Sequence, residues 1–186
     1  MKRLLLILSV LLCTGIAHAA SPLPSDSLYQ LSVPLTDQDG HTAPFAARRG
    51  TPQIVSMFYT SCTMVCPMII DTMKATRRAA GEPAGLALLA VSFDPGRDNV
   101  DALRRYAAVH KLDQRWWTLA RTAPQDTRSL AALLGVQYRK LPDGEFNHSS
   151  ALLLLDGEGR IVARTSIIGR TDPEFVAAVR KLAGSK

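Results

Sequence analysis

Two apolar runs, residues 53–59 and 86–93, constrain the fold of this chain more than any other feature. The second holds Leu86, Ala87, Leu88, Leu89, Ala90 and Val91 without a polar break, the pattern of a strand buried on both faces of a parallel sheet. Parallel neighbours cannot be joined by a tight turn, so a crossover helix must follow each strand. The sequence supplies both helices. Pro67 suits the first turn of a helix that runs to about Ala80, and Asp98 is the expected N-cap of a helix over residues 99–110. A third strand is expected over 115–120, with at least one of Trp116 and Trp117 in the core. Pro124 then opens a helix to about Leu134, and Gly135 ends it.

The flanking segments follow a different period. Residues 29–35 alternate apolar and polar, Asp39-Gly40 is a hairpin turn, and residues 42–45 can return as the partner strand at a sheet edge. After the turn at Pro142-Asp143-Gly144, residues 151–155 read as a buried strand, 156–159 as a hairpin loop and 161–166 as the return strand. Asp172-Pro173 starts a last helix ending near Leu182. This order predicts an α/β, thioredoxin-like fold: a central mixed sheet flanked by helices, with an N-terminal β-hairpin. Internal repeats and low-complexity tracts are absent from the sequence.

The first residues bear on location. Lys2 and Arg3 precede an apolar run over 4–12 and then Ala17-His18-Ala19-Ala20, the order of a secretory signal peptide over residues 1–20. The run is roughly half the ~20 residues of a membrane-spanning helix, and Val10, Leu11 and Leu12 are too bulky for lipoprotein processing at Cys13. The expectation is a soluble protein of the periplasm or another extracytoplasmic space, with a flexible arm over 21–28 and one domain over 29–186. The net charge of +6 comes from scattered residues and argues against nucleic acid as a partner.

Cys13 leaves with the signal, so the mature chain keeps Cys62 and Cys66. Four positions apart, they close too small a loop to staple a domain, and a local pair in an oxidising compartment points to redox or metal chemistry. The bland alternatives are a buried reduced pair or an inert disulfide. Cys66 at a helix mouth is the expected thiolate, and a pair of thiolates suits Cu(I), with an added imidazole suiting Cu(II). A lone His before an apolar strand, such as His148, has by itself a surface or core role as its default.

The segment Thr60-Ser61-Cys62-Thr63-Met64-Val65-Cys66-Pro67 resembles the T-S-C-x-x-x-C-P signature of the Sco (SenC) family. Residues 91–98 are similar to its V-S-x-D-P-x-R-D segment, 135–138 to its G-V-x-Y, and 146–150 to its histidine motif. The resemblance implies copper bound by Cys62, Cys66 and His148, and delivery to the copper centre of cytochrome c oxidase. The implied partners are a client cuproprotein such as oxidase subunit II and a copper donor or thiol reductant protein, with this chain acting as a monomer. One position departs: Asn147 stands where most of the family has Asp before the His, which would either weaken Cu(II) binding or leave the amide of Asn147 to orient the ring. Asp94 is balanced between a turn and a functional carboxylate. Met57, Met68 and Met73 are expected in the core, with Met64 alone near a metal, and His41 and His110 at a turn and a helix end.

A second function fits the same cysteines. As a redox-active pair, Cys62 and Cys66 could make the chain a thiol-disulfide oxidoreductase that reduces a partner's copper site. A third, peroxidase activity, rests on Thr63-x-x-Cys66, but Tyr59 stands where peroxidases place a proline.

Overall fold

The computed structural model describes residues 21–184; the expected signal segment and Cys13 lie outside them. Nine strands and four α-helices run in the order β1 (Pro34–Asp37), β2 (Thr42–Pro44), β3 (Gln53–Phe58), α1 (Val65–Ala79), β4 (Ala87–Ser92), α2 (Val100–Val109), β5 (Trp117–Arg121), α3 (Pro124–Leu133), β6 (Tyr138–Lys140), β7 (Phe146–His148), β8 (Leu152–Leu155), β9 (Ile161–Thr165) and α4 (Pro173–Gly184). Seven strands form one sheet in the order β2-β1-β5-β4-β3-β8-β9, and β6 and β7 form a separate two-stranded hairpin. The centre, β3-β4-β5, is parallel, and the remaining pairs of the sheet are antiparallel. The mixed sheet, its helices and the N-terminal hairpin at one edge are the architecture expected from the sequence.

Burial follows from position in the sheet. Every residue of β3 is buried, as is every residue of β8, because both faces of these central strands are covered. Helix α1 packs on β3 and against α4, α4 also covers β9, and α2 packs on β5 and β1. No helix among the described residues is long and apolar enough to cross a membrane.

The N-terminal segment differs from its expected strand. Residues 28–30 form a 3-10 turn, capped by the Ser27 hydroxyl accepting from Tyr29 N, and β1 begins only at Pro34. Ser27 and Leu28 are buried and belong to the fold rather than to a loose arm. The Ser27 hydroxyl also donates to Glu158 O at 2.5 Å, and the Tyr29 ring meets Phe45 edge-on at 5.0 Å. Apolar alternation over 29–35 thus reflects a turn seated on the 156–159 loop. At the other junctions the third strand starts at Trp117, with that indole buried, and α3 ends at a left-handed Gly135 (φ +62°).

Gly159 shows how tightly that seat is built: its φ is +79°, and a Cβ placed there would lie 2.6 Å from the Tyr29 ring. Gly159→Ala should destabilise the protein by about 1–3 kcal/mol through backbone strain and displacement of Tyr29. Urea unfolding followed by circular dichroism measures it, with an unchanged midpoint counting against the packing described.

Candidate metal centre

Parallel pairing of β3 and β4 sets Phe58 opposite Ser92, so the chain leaves both strands side by side at one end of the sheet. From β3 comes the loop with Cys62, leading into α1. From β4 comes the connection 93–99. Asp98 ties the two together and is fully buried. Its Oδ2 accepts from Thr60 N at 3.0 Å and from the Ser92 hydroxyl at 2.5 Å, and its Oδ1 accepts from the Thr60 hydroxyl at 2.5 Å. The expected N-cap role belongs instead to Asn99, whose side chain accepts from Ala102 N at 2.9 Å. An acid just before a helix looks the same in sequence whether it caps the helix or turns inward.

Helix α1 begins at Val65, and its N-cap residue, Met64, makes no side-chain cap bond. Of the first-turn N–H groups, which have no partner within the helix, that of Cys66 reaches Cys62, whose Sγ accepts from it at 3.4 Å. Cys66, in that first turn, points into the protein and is fully buried, its Sγ accepting from Tyr59 N at 3.4 Å. Both thiols are free. Partial burial pushes the Cys62 thiol up, but the N–H groups of Cys66 and Met64 and the side chains of Cys66 and Tyr59 outweigh it, and the net shift is down. Burial pushes the Cys66 thiol up, with the neighbouring Cys62 adding to it. The expected assignment of the thiolate to Cys66 is therefore reversed: the helix terminus acts on the sulfur it faces.

His148 ends β7, in a hairpin that shares no ladder with the main sheet. Arg97 Nη2 donates to Gly144 O at 2.6 Å at the hairpin turn, and the Tyr59 hydroxyl donates to Glu145 Oε2 at 2.7 Å. Phe146 packs edge-on against Tyr59 and Phe93, with centroids 5.1 and 5.2 Å apart. The His148 ring lies 4.9 Å from that of Phe93, and its Nδ1 is 3.1 Å from Ser149 O. With Nδ1–H donating to that carbonyl, Nε2 presents its lone pair. Asn147 does not orient the ring, because strand side chains alternate and its own is exposed on the other face.

The ligand atoms of Cys62, Cys66 and His148 all lie within 4.8 Å of one another. Two sulfurs and one imidazole nitrogen at that spacing can close on a single soft or borderline cation. Asp37, Asp39 and His41 also come together, but Asp37 Oδ1 there accepts from Asp39 N and His41 N and so shapes the β1-β2 turn. Asp94 pairs with Arg97, and its backbone N–H bonds the Ser92 hydroxyl, a turn-shaping role. Met57 and Met73 are core residues; Met68, at 44% exposed, is not. Met64 is 74% exposed beside the cysteines. His110 caps the end of α2 and stacks on Tyr106 at 4.1 Å. Tyr59, Arg97, Asp98 and Glu145 support the site without having been singled out in the sequence as its parts. Arg97 and Asp98 lay within the segment 91–98, which was the available signal.

A family model described as SCO1/SenC matches residues 25–184. The chain belongs to the SCO1/SenC family. Among solved Sco structures, Bradyrhizobium japonicum ScoI with copper bound is 25% identical, the match covering 81% of this chain and 96% of that one, with a TM-score of 0.68. A SCO1/SenC family lipoprotein from Bacillus anthracis is 22% identical over 82% of this chain and 94% of its own, with a TM-score of 0.73. BsSco, described as having a disulfide switch and as a member of the Sco family of cytochrome c oxidase assembly proteins, is 20% identical over 82% and 92%, with a TM-score of 0.68. No curated protein matches the chain significantly. The Sco fold is thioredoxin-like, and this chain shares it.

Two measurements test the site as described. Asp98→Ala strands the Thr60 N–H and two hydroxyls, and should cost roughly 2–4 kcal/mol of unfolding free energy in a urea titration. In the reduced protein, iodoacetamide should modify Cys62 first, with a half-maximal rate below the pH of an ordinary thiol, because its folded-state shift is downward. Cys66 should react only on unfolding. Peptide mass spectrometry after graded alkylation reads both, and preferential labelling of Cys66 would contradict the assignment.

Proposed function

We propose that this chain binds one copper ion through Cys62, Cys66 and His148 and hands it, outside the cytoplasm, to a client cuproprotein during assembly of the copper centre of cytochrome c oxidase. The observation that carries this reading is the convergence of two sulfurs and one imidazole within 4.8 Å. Thiolates suit Cu(I), and the imidazole extends the set to Cu(II). Family membership supports it, as do a copper-bound relative and the oxidase-assembly description of another. Copper is cargo here, and release follows by exchange of its ligands for those of the client. Export rests on the N-terminal residue order, and oxidase subunit II is the favoured client.

Purified reduced protein should take up one equivalent of copper against a moderate chelator. Cys62→Ser and Cys66→Ser should abolish Cu(I) uptake, and His148→Ala should weaken Cu(II) binding at least about tenfold. Absence of uptake by the wild-type protein would overturn the reading.

A second reading is favoured by the asymmetry of the thiols. Cys62 is part-exposed with its shift downward, and Cys66 is buried with its shift upward, the division of labour of an attacking and a resolving thiol. The Cys62 thiolate would attack a partner disulfide and expel one partner thiolate. Cys66, losing its proton, would then attack Cys62 and expel the second. The partner gains two electrons, this chain becomes a disulfide, and a thiol reductant protein must reset it. Disulfide reduction that survives His148→Ala but not Cys62→Ser would establish this activity. A peroxidatic Cys66 is disfavoured by its full burial.

A further inference from the structure

At the end of the sheet opposite the cysteines, a cleft of about 280 Å³ opens where α1 finishes and β4 and β5 begin. Lys74, Arg77 and Arg78 reach it from the last turns of α1, and Lys111 and Arg115 from the connection between α2 and β5. The acids in its lining are Glu82 and Asp113. Asp113 is already held by Arg115, its Oδ2 accepting from Nε at 3.0 Å and Nη2 at 2.5 Å. Lys74 donates to His110 O at 2.7 Å and lies 3.6 Å from Asp71. The side chains of Arg78 and Lys111 have no hydrogen-bond or ion-pair partner among the described residues.

Arg77 is the decisive member. It is only 8% exposed, yet no carboxylate pairs with it among the described residues. Its Nη2 donates to Pro83 O at 3.3 Å and its guanidinium lies 4.3 Å over the Trp116 ring, while its buried Nε has no partner. A guanidinium largely withdrawn from water, whose charge is met only at longer range by Asp113 and by the face of Trp116, is favoured further by an anion bound beside it. The negative end of α1 explains why basic residues gather on its last turns. It does not explain Lys111 and Arg115, which come from another element, or the orphan Nε.

We infer that this cleft is an oxyanion-binding site for a phosphate group, with Arg78 and Lys111 as the free donors and Arg77 and Trp116 as its wall. A phosphate carries between one and two negative charges near neutral pH and can accept from several donors at once, which suits cations arriving from two sides. The cleft exceeds the size of one phosphate ion, so an attached group against Trp116 is accommodated. The source is either a free phosphate or phosphomonoester, or a phospholipid headgroup. The inference is independent of copper, and its test uses none.

Titrating inorganic phosphate at constant ionic strength, with chloride as the control, should give a saturable change in tryptophan fluorescence and a rise in thermal midpoint. The double variant Arg78→Gln/Lys111→Gln changes only exposed residues and should fold normally while binding phosphate at least about tenfold more weakly. Arg104→Gln, on the exposed side of α2, should bind as wild type does. No saturable change, or equal affinity in the double variant, overturns the inference. Wild-type binding to phosphatidylglycerol vesicles that phosphate displaces and the double variant lacks assigns the headgroup as source. Absence of vesicle binding assigns the free ion or monoester.

Discussion

A carboxylate with no access to solvent lies beneath the loop that carries the cysteines, and the geometry of the site depends on it. Asp98 makes no ion pair among the described residues and is met by three hydrogen bonds: an amide and a hydroxyl from Thr60, and the hydroxyl of Ser92. Ser92 is itself fixed by the parallel pairing of β3 and β4, which brings it level with Phe58, and Thr60 follows two residues beyond that end of β3. Withdrawing a charge from water is unfavourable unless its lone pairs are met, so the arrangement persists only while all three donors stay in place. Thr60 is thereby held at a set height above the sheet. From that point the chain has a short path to the first turn of α1, and Cys62 falls where the helix N–H groups project.

Apolar periodicity made the centre of the sheet readable because β3, β4 and β8 are covered on both faces, so burial is written into consecutive residues. The edges carry weaker information. Residues 28–30 place Leu28 and Tyr29 in the core by a 3-10 turn, and alternation alone does not separate that turn from a strand. The β6-β7 hairpin left no trace because three-residue strands with mostly part-exposed or exposed side chains have no burial period. Its turn residues were legible, its pairing was not. Of the site, Cys62 and Cys66 could be read from spacing and from the strand-to-helix junction. His148 required a motif, since the hairpin that brings it to the thiols is long-range information.

The reversal of the two thiols shows a limit of arguing from a helix end. Residue order places Cys66 within the first turn, and a helix N-terminus stabilises negative charge. The N–H groups point along the axis and out of the helix, however, whereas a side chain of the first turn points sideways. Here the sideways direction is the core, so Cys66 is desolvated and Cys62, outside the helix, receives the bond from Cys66 N. Cys62 does for this helix part of what an N-cap side chain does, which accounts for a helix start at Met64 without a capping oxygen.

The three converging groups are held by unlike means, and that difference bears on what the site can do. Cys62 and Cys66 sit on a loop and a helix locked to the central sheet through Asp98 and Tyr59. His148 sits on a hairpin outside that sheet, attached through Arg97 to Gly144 O, through Tyr59 to Glu145, and through an aromatic cluster. Under the copper reading, the sulfurs are fixed by the central sheet and the imidazole by the packing of the hairpin on the buried rings of Tyr59 and Phe93. A soft monovalent ion needs chiefly the sulfurs, and a divalent ion gains most from the nitrogen. Tyr59 stands at the junction: its backbone N–H bonds the buried thiol, its hydroxyl bonds the hairpin, and its ring packs edge-on against Phe146 and His148 of that hairpin.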